Sequence, residues 1–179
     1  ALIALEVSGQ VQIRPGSGVY VSASKHPLLD NKREKTDSPL ACAEAISTLL
    51  PHVATLVVKR ANNDELLQFE AIAKQLHIAH VKSDSASFES LELRFIKLIL
   101  ECGRNDAIKH AFTYFQSILA DTPISPSEDL SDYQSRLIPL YDTAASALQQ
   151  RDKSKAVDAV LNITQQHFSR SLLHRSSIE

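Results

Sequence analysis

From Ser38 onward the apolar residues of this chain recur at three- and four-residue intervals, the period of one helix face. Ser38-Pro39 opens the first such stretch, with serine placed as an N-cap and proline at the first helical position. Leu40, Ala43, Ile46, Leu49, Leu50, Val53, Leu56 and Val57 follow on one face, and Pro51 inside the run predicts a kink or a break. A second helix is expected after Asn62-Asn63, carrying Leu66, Leu67, Phe69, Ile72, Ala73 and Leu76. A third begins near Asp84, presents Phe88, Leu91, Phe95, Ile96, Ile99 and Cys102 on one side, and meets a stop signal at Gly103. The fourth runs from about Asn105 to Leu119, and Asp121 to Asp129 reads as a loop of small polar residues and prolines. Tyr133, Leu137, Leu140, Tyr141, Ala144 and Leu148 form the buried side of a fifth, from Leu130 to Gln150. Asp152 caps a sixth, with one stripe at Ala156, Val160, Ile163 and His167 and a second at Val157, Leu161, Thr164 and Phe168. The fold class that follows is mainly α, an antiparallel bundle of about six helices.

Before Ser38 the pattern changes. Ala1 to Ser8 reads as the tail of an apolar helix ending at Gly9, and two short alternating runs follow, Val11 to Arg14 and Gly18 to Val21. Pro15-Gly16-Ser17-Gly18 joins them, and its glycines tolerate the positive φ of a tight turn, so a β-hairpin is predicted. Ser22 to Ser38 is a polar connector with Lys25, Lys32, Arg33 and Lys35, read as a solvated linker.

The 179 residues suffice for a sizeable core, built mainly of aliphatic side chains because aromatics make up only 6%. A formal charge of −2 does not advertise nucleic-acid binding, so any such role must rest on a local surface. Cys42 and Cys102 share no metal-ligand spacing and are expected as buried, reduced thiols. No apolar run is read as a membrane span and no basic-then-apolar leader is seen, from which a soluble, cytoplasmic protein is expected. The chain has no methionine and starts inside an apparent helix, so it is read as a fragment lacking most of a preceding domain. No nucleophile elbow, phosphate loop, paired-cysteine motif or His-Glu-x-x-His spacing occurs, and an enzyme is not expected.

Leu5-Glu6, Gly9, Val11, Arg14, Gly16, Gly18, Tyr20 and Val21 resemble the end of the recognition helix and the wing of a winged helix-turn-helix in the GntR superfamily of transcription regulators. The bundle in turn is similar to the C-terminal effector-binding domain of the FadR subfamily. That likeness stands on Val57-Val58-Lys59-Arg60-Ala61, Asn63-Asp64-Glu65-Leu66, Ser83-Asp84 before Phe88 and Phe95, Gly103-Arg104-Asn105, and Ala147, Asp152 and Ala156. The resemblance implies three parts: residues 1–22 from a winged helix-turn-helix domain, a linker over 23–38, and an all-helical effector-binding and dimerisation domain over 39–179. It further implies that Arg14 contacts a phosphate and that Gly16, Ser17 and Gly18 bring backbone beside the minor groove.

Many members of that subfamily hold a divalent metal at the bundle centre through an aspartate and three histidines, and the ion anchors a carboxylate effector. By resemblance these four positions fall on Glu92, Ile96, Tyr141 and Ile163, and two further pocket positions on Ile46 and Leu50. Only the carboxylate persists as an ordinary ligand, so no cofactor is expected, a divalent metal least of all, and the pocket is expected to be apolar. His167, one turn beyond Ile163, and His110 are the candidates for a relocated site; both are expected instead to cap or decorate helix surfaces. Glu92 interrupts an apolar stripe and, if buried, needs a hydrogen-bond donor, for which Tyr141 is the candidate; the alternative is that it turns to solvent.

Two functions remain open. One is a homodimeric regulator, a repressor, that binds operator DNA through its wings under control of a small-molecule effector in the bundle. The other is a dimeric DNA binder, constitutive or responsive to a protein, whose pocket Ile46, Leu50, Ile96 and Ile163 have filled.

Overall fold

In the computed structural model the described residues are 11–14, 18–21, 38–120 and 129–173. The chain divides into two units, residues 1–37 and 38–179. In the first, β1 (Val11–Arg14) and β2 (Gly18–Val21) pair antiparallel, with Val11 opposite Val21 and Arg14 opposite Gly18. The expected helix tail, Gly16 and Ser17 in the turn, and the connector over 22–37 lie outside the described residues.

The second unit contains α1 (Pro39–Arg60), α2 (Asn63–Val81), α3 (Ser85–Gly103), α4 (Asp106–Ala120), α5 (Leu130–Gln149) and α6 (Lys153–Leu173). Their starts follow from side chains that accept the otherwise unpaired first amides. Ser38 Oγ accepts from Ala41 N at 3.1 Å, Asp84 from Ser87 N at 3.0 Å, and Asp152 from Lys155 N at 3.1 Å. At α2 the exchange is reciprocal: Asn62 Oδ1 accepts from Glu65 N, and Glu65 Oε2 from Asn62 N, each at 2.8 Å. Residues 121–128, within the expected loop, lie outside the described residues.

α1 packs on α6, α3 and α4; α2 packs on α5 and α3; α5 packs on α6. Five helices thus close a ring in the order α1, α3, α2, α5, α6, and α4 lies outside it against α1. Leu50, Val53 and Val57 of α1, Phe69 and Leu76 of α2, Phe95 and Ile99 of α3, Leu137 and Leu148 of α5, and Val160 and Ile163 of α6 belong to one core.

Three expectations need correction. Of the kink or break expected at Pro51, the break does not occur, since α1 runs through that residue. An interior proline costs roughly 3 kcal/mol, and each fully buried leucine or valine contributes about 1.5–3 kcal/mol, so burying Leu50, Val53 and Val57 outweighs it. The residue that ends α3 is Arg104, in the left-handed region at φ 47°, ψ 48°. Gly103 is instead the last helical residue, and a Cβ there would stand 2.6 Å from Val53 Cγ1, so close approach to α1 is what it permits. Third, α1 is 22 residues long with a mean hydropathy of 1.5 over its best window, enough by length and composition to cross a membrane. Its apolarity has another use, since Leu50, Val53, Ala54 and Val57 sit in the bundle core.

Arginines close the C-terminal end of α1. Arg151, itself at φ 55°, donates to Val58 O at 2.7 Å and to Ala61 O at 2.9 Å. Arg104 donates to Arg60 O and to both carboxylate oxygens of Glu65, at 3.0 and 3.1 Å.

Candidate functional site

Inside the ring, three helices bring polar side chains into an otherwise apolar interior. Glu92 stands on α3 between Phe88 and Phe95 and is 7% exposed. Tyr133 and Tyr141 lie eight residues apart on α5, a spacing that places them on one face, and both are buried. His167 follows Ile163 by one turn on the inward stripe of α6.

These four side chains meet. Tyr141 Oη donates to Glu92 Oε1 at 3.3 Å. His167 Nε2 lies 3.6 Å from the same oxygen and 3.4 Å from Tyr141 Oη, and its Nδ1 is 2.7 Å from Tyr133 Oη. Phe95 presents its ring edgewise to Tyr141 at 4.9 Å, and Phe69 packs on Phe95 at 5.0 Å, so the cluster has an aromatic wall. Burial first, then the neighbouring charge of Glu92, pushes the Tyr141 phenol well above its ordinary range. It therefore keeps its proton and serves as the donor that a buried carboxylate needs. The His167 side chain is one-third exposed, so the cluster reaches solvent along α6.

A further polar spot lies in the seam of α2 and α5, where His80 Nδ1 is 3.3 Å from Gln134 Oε1. Gln134 Nε2 is buried without a hydrogen-bond partner among the described residues.

The remaining candidate residues are scattered. Leu50 and Ile163 are 1% and 2% exposed within the core, whereas Ile46 and Ile96 are half-buried at its edge. His110 is exposed on α4. His167 does not decorate a surface: the stripe from Ala156 to Ile163 is turned inward, and its next member faces the two tyrosines. Arg14 of β1 is paired with Gly18 of β2. Sequence reasoning assigned Tyr133 to the core alone and passed over His80 and Gln134. The signal for Tyr133 was its register with Tyr141. Cys42 and Cys102 are both buried, and burial pushes the Cys102 thiol up to about 11.

Carboxylate and imidazole are both metal-ligand types, but the four-ligand arrangement implied by resemblance does not form around Glu92. Among the described residues no three His, Cys, Asp or Glu side chains converge. Ile96 and Ile163 carry no donor atom, and one nitrogen of His167 is taken by Tyr133. The residues present do not fit that metal site.

Two surface clefts, of about 330 and 360 Å³, are lined by residues including Asp142, Ser146 and Lys155, and by Ile78, Lys82, Asp84 and Leu91, respectively. Neither is lined by Glu92, Tyr141 or His167.

The model of the FCD domain family matches residues 42–166. The chain belongs to the FCD family. FCD is the C-terminal domain of GntR-family regulators, and the chain is accordingly a GntR-family transcription regulator with an effector-binding domain. The FCD match takes in Glu92 and Tyr141 and stops one residue short of His167. Among solved structures the chain is similar to Streptococcus agalactiae GntR, at 21% identity and a TM-score of 0.61, covering 94% of this chain and 78% of that one. It is also similar to Escherichia coli McbR/YncC, at 14% identity and a TM-score of 0.64, covering 97% and 82%. At these identities the likeness speaks for the fold. No curated protein sequence matches the chain.

Proposed function

We propose that this FCD protein is a DNA-binding transcription regulator of the FadR subfamily, a cytoplasmic homodimer acting as a repressor, whose helical domain responds to a small-molecule effector held without metal or other cofactor. The observation that carries this reading is the cluster of Glu92, Tyr133, Tyr141 and His167 inside an FCD bundle. A polar cluster in an interior is costly unless satisfied, and it supplies both donors and acceptors to a ligand that enters from the exposed side of His167. Ile46, Leu50, Ile96 and Ile163 would give the effector an apolar surface. Arg14, with Gly16, Ser17 and Gly18, would place the hairpin on operator DNA, as phosphate and backbone contacts that fix register rather than read bases. Homodimers suit such operators because a palindrome mirrors a two-fold axis. No catalytic step is assigned to the cluster.

A second reading is favoured by one observation, the near-complete burial of Leu50 and Ile163, which fits a filled pocket and a constitutive or protein-responsive regulator. The test has two stages. The purified chain is screened by thermal shift against sugar acids, amino acids and acyl chains, and each stabilising compound is then added to the full-length regulator on operator DNA followed by fluorescence anisotropy. The first reading expects a compound that changes DNA affinity at least about tenfold, a coupling of roughly 1.4 kcal/mol. DNA binding that no stabilising compound alters supports the second reading, and no DNA binding by the full-length protein overturns both.

A further inference from the structure

The mismatch between the bundle centre and a metal site has a positive side. Glu92 belongs to α3, Tyr133 and Tyr141 to α5, and His167 to α6. α3 packs chiefly on α2, α1 and α4, while α5 packs on α2 and α6, so Glu92 and Tyr141 meet across the interior of the ring rather than along a helix seam. His167 Nε2 sits 3.4 Å from Tyr141 Oη and 3.6 Å from Glu92 Oε1, and its Nδ1 turns to Tyr133 Oη at 2.7 Å. A divalent ion held by ligands from several helices does two things: it neutralises a buried carboxylate and ties the helices together. Here an imidazole stands 3.6 Å from the carboxylate, and hydrogen bonds tie α3 to α5 and α5 to α6.

We propose that His167 takes the ion's structural place, joining α3, α5 and α6 through Glu92, Tyr141 and Tyr133, so that the bundle centre is cross-linked by side chains and needs no metal. The inference gains its regulatory meaning from the reading of this centre as the effector site, although its test uses neither DNA nor effector and so fails separately. In that role His167 is a positioning residue. It holds Glu92 and the two phenols in one arrangement, and a ligand entering past its exposed edge must exchange hydrogen bonds with it before reaching the carboxylate. The connection between α6 and α3 is therefore the element that ligand entry would loosen or tighten.

The experiment measures thermal unfolding of the EDTA-dialysed chain with Zn²⁺, Ni²⁺ or Mn²⁺ alone, together with urea unfolding of Glu92→Gln, His167→Gln and the double variant. The ion-free centre predicts no stabilisation by the metals that depends on His167. Stabilisation of several degrees that vanishes in either single variant overturns the proposal, while stabilisation surviving both arises elsewhere on the chain and agrees with it. The cross-link predicts that the double variant loses less stability than the sum of the two single losses, because each change breaks the same connection. Strict additivity overturns it. Should a glutamine variant fail to fold, Tyr133→Phe and Tyr141→Phe replace it in the cycle, with coupling between each and the remaining member as the expected result and additivity as the contrary one.

Discussion

Tyr141 brings a hydroxyl to a place where a phenylalanine ring would pack as well against Phe95. What the hydroxyl adds is the hydrogen bond to Glu92, and a buried carboxylate that loses a donor costs about 1–3 kcal/mol. Tyr141→Phe is therefore expected to lower unfolding free energy by about that amount in urea, and the loss should shrink when Glu92 is already glutamine, whose amide needs its partners less. A Tyr141→Phe chain as stable as the wild type would detach the pair from the fold. Cys102 offers a pH test. Its folded pKa of about 11 lies above that of an unfolded thiol, so its contribution is complete at neutral pH and is lost as pH rises from roughly 8.5 toward 11. Iodoacetamide at pH 8.5 should label Cys102 only as fast as the chain opens, and labelling faster than unfolding would contradict the burial. Glu92 was legible in sequence because a charge on an apolar stripe demands an explanation. His167 was less so, since a histidine near a helix end reads equally as surface, and only the inward turn of α6 decides.

At the scale of elements the helix starts were legible, because Ser38, Asn62, Asp84 and Asp152 are capping residues in front of apolar periods and all accept first-turn amides. The ends were harder. Gly103 has the right chemistry for a stop, yet a tertiary contact with Val53 claims it and the left-handed position passes to Arg104. Gly103→Ala should destabilise by about 1–3 kcal/mol through overpacking against α1, and a neutral result in a urea melt would show that α1 and α3 can part. Arg151 could not be read as a cap from sequence, because the carbonyls it serves, Val58 and Ala61, lie far away along the chain. Arg151→Ala is expected to cost about 1–3 kcal/mol in the same measurement by leaving those carbonyls without their charged donor. The Asp84 and Asp152 caps lie below the ordinary carboxylate range, held there chiefly by the Ser87 side chain and the Lys155 amide. Folded values below unfolded ones mean that their stabilisation is present above about pH 4 and lost as pH falls through the folded values. Melting temperature should drop on acidification below that point, and less steeply in Asp84→Asn; an unchanged profile in that variant would contradict the assignment.

For the whole molecule, periodicity exposed the bundle, but not the order of helices around the ring or the place of α4 outside it, which depend on contacts between distant segments. Function became legible at this scale for a related reason: Glu92 and Tyr141 lie within the FCD match over residues 42–166 and meet His167 just beyond it, so polar side chains from three helices come together in the interior. A regulator of this build transmits an effector by shifting the equilibrium between arrangements of its helices, and the ligand can shift it only by its differential affinity for them. The central claim is that Glu92 and its partners form the effector site. The most direct test compares the ligand-induced thermal shift of the wild-type chain with that of Glu92→Gln, across the small-molecule screen. The account predicts a compound that stabilises the wild type by several degrees and the variant by much less; a shift of equal size in both, or no stabilising compound at all, would contradict it.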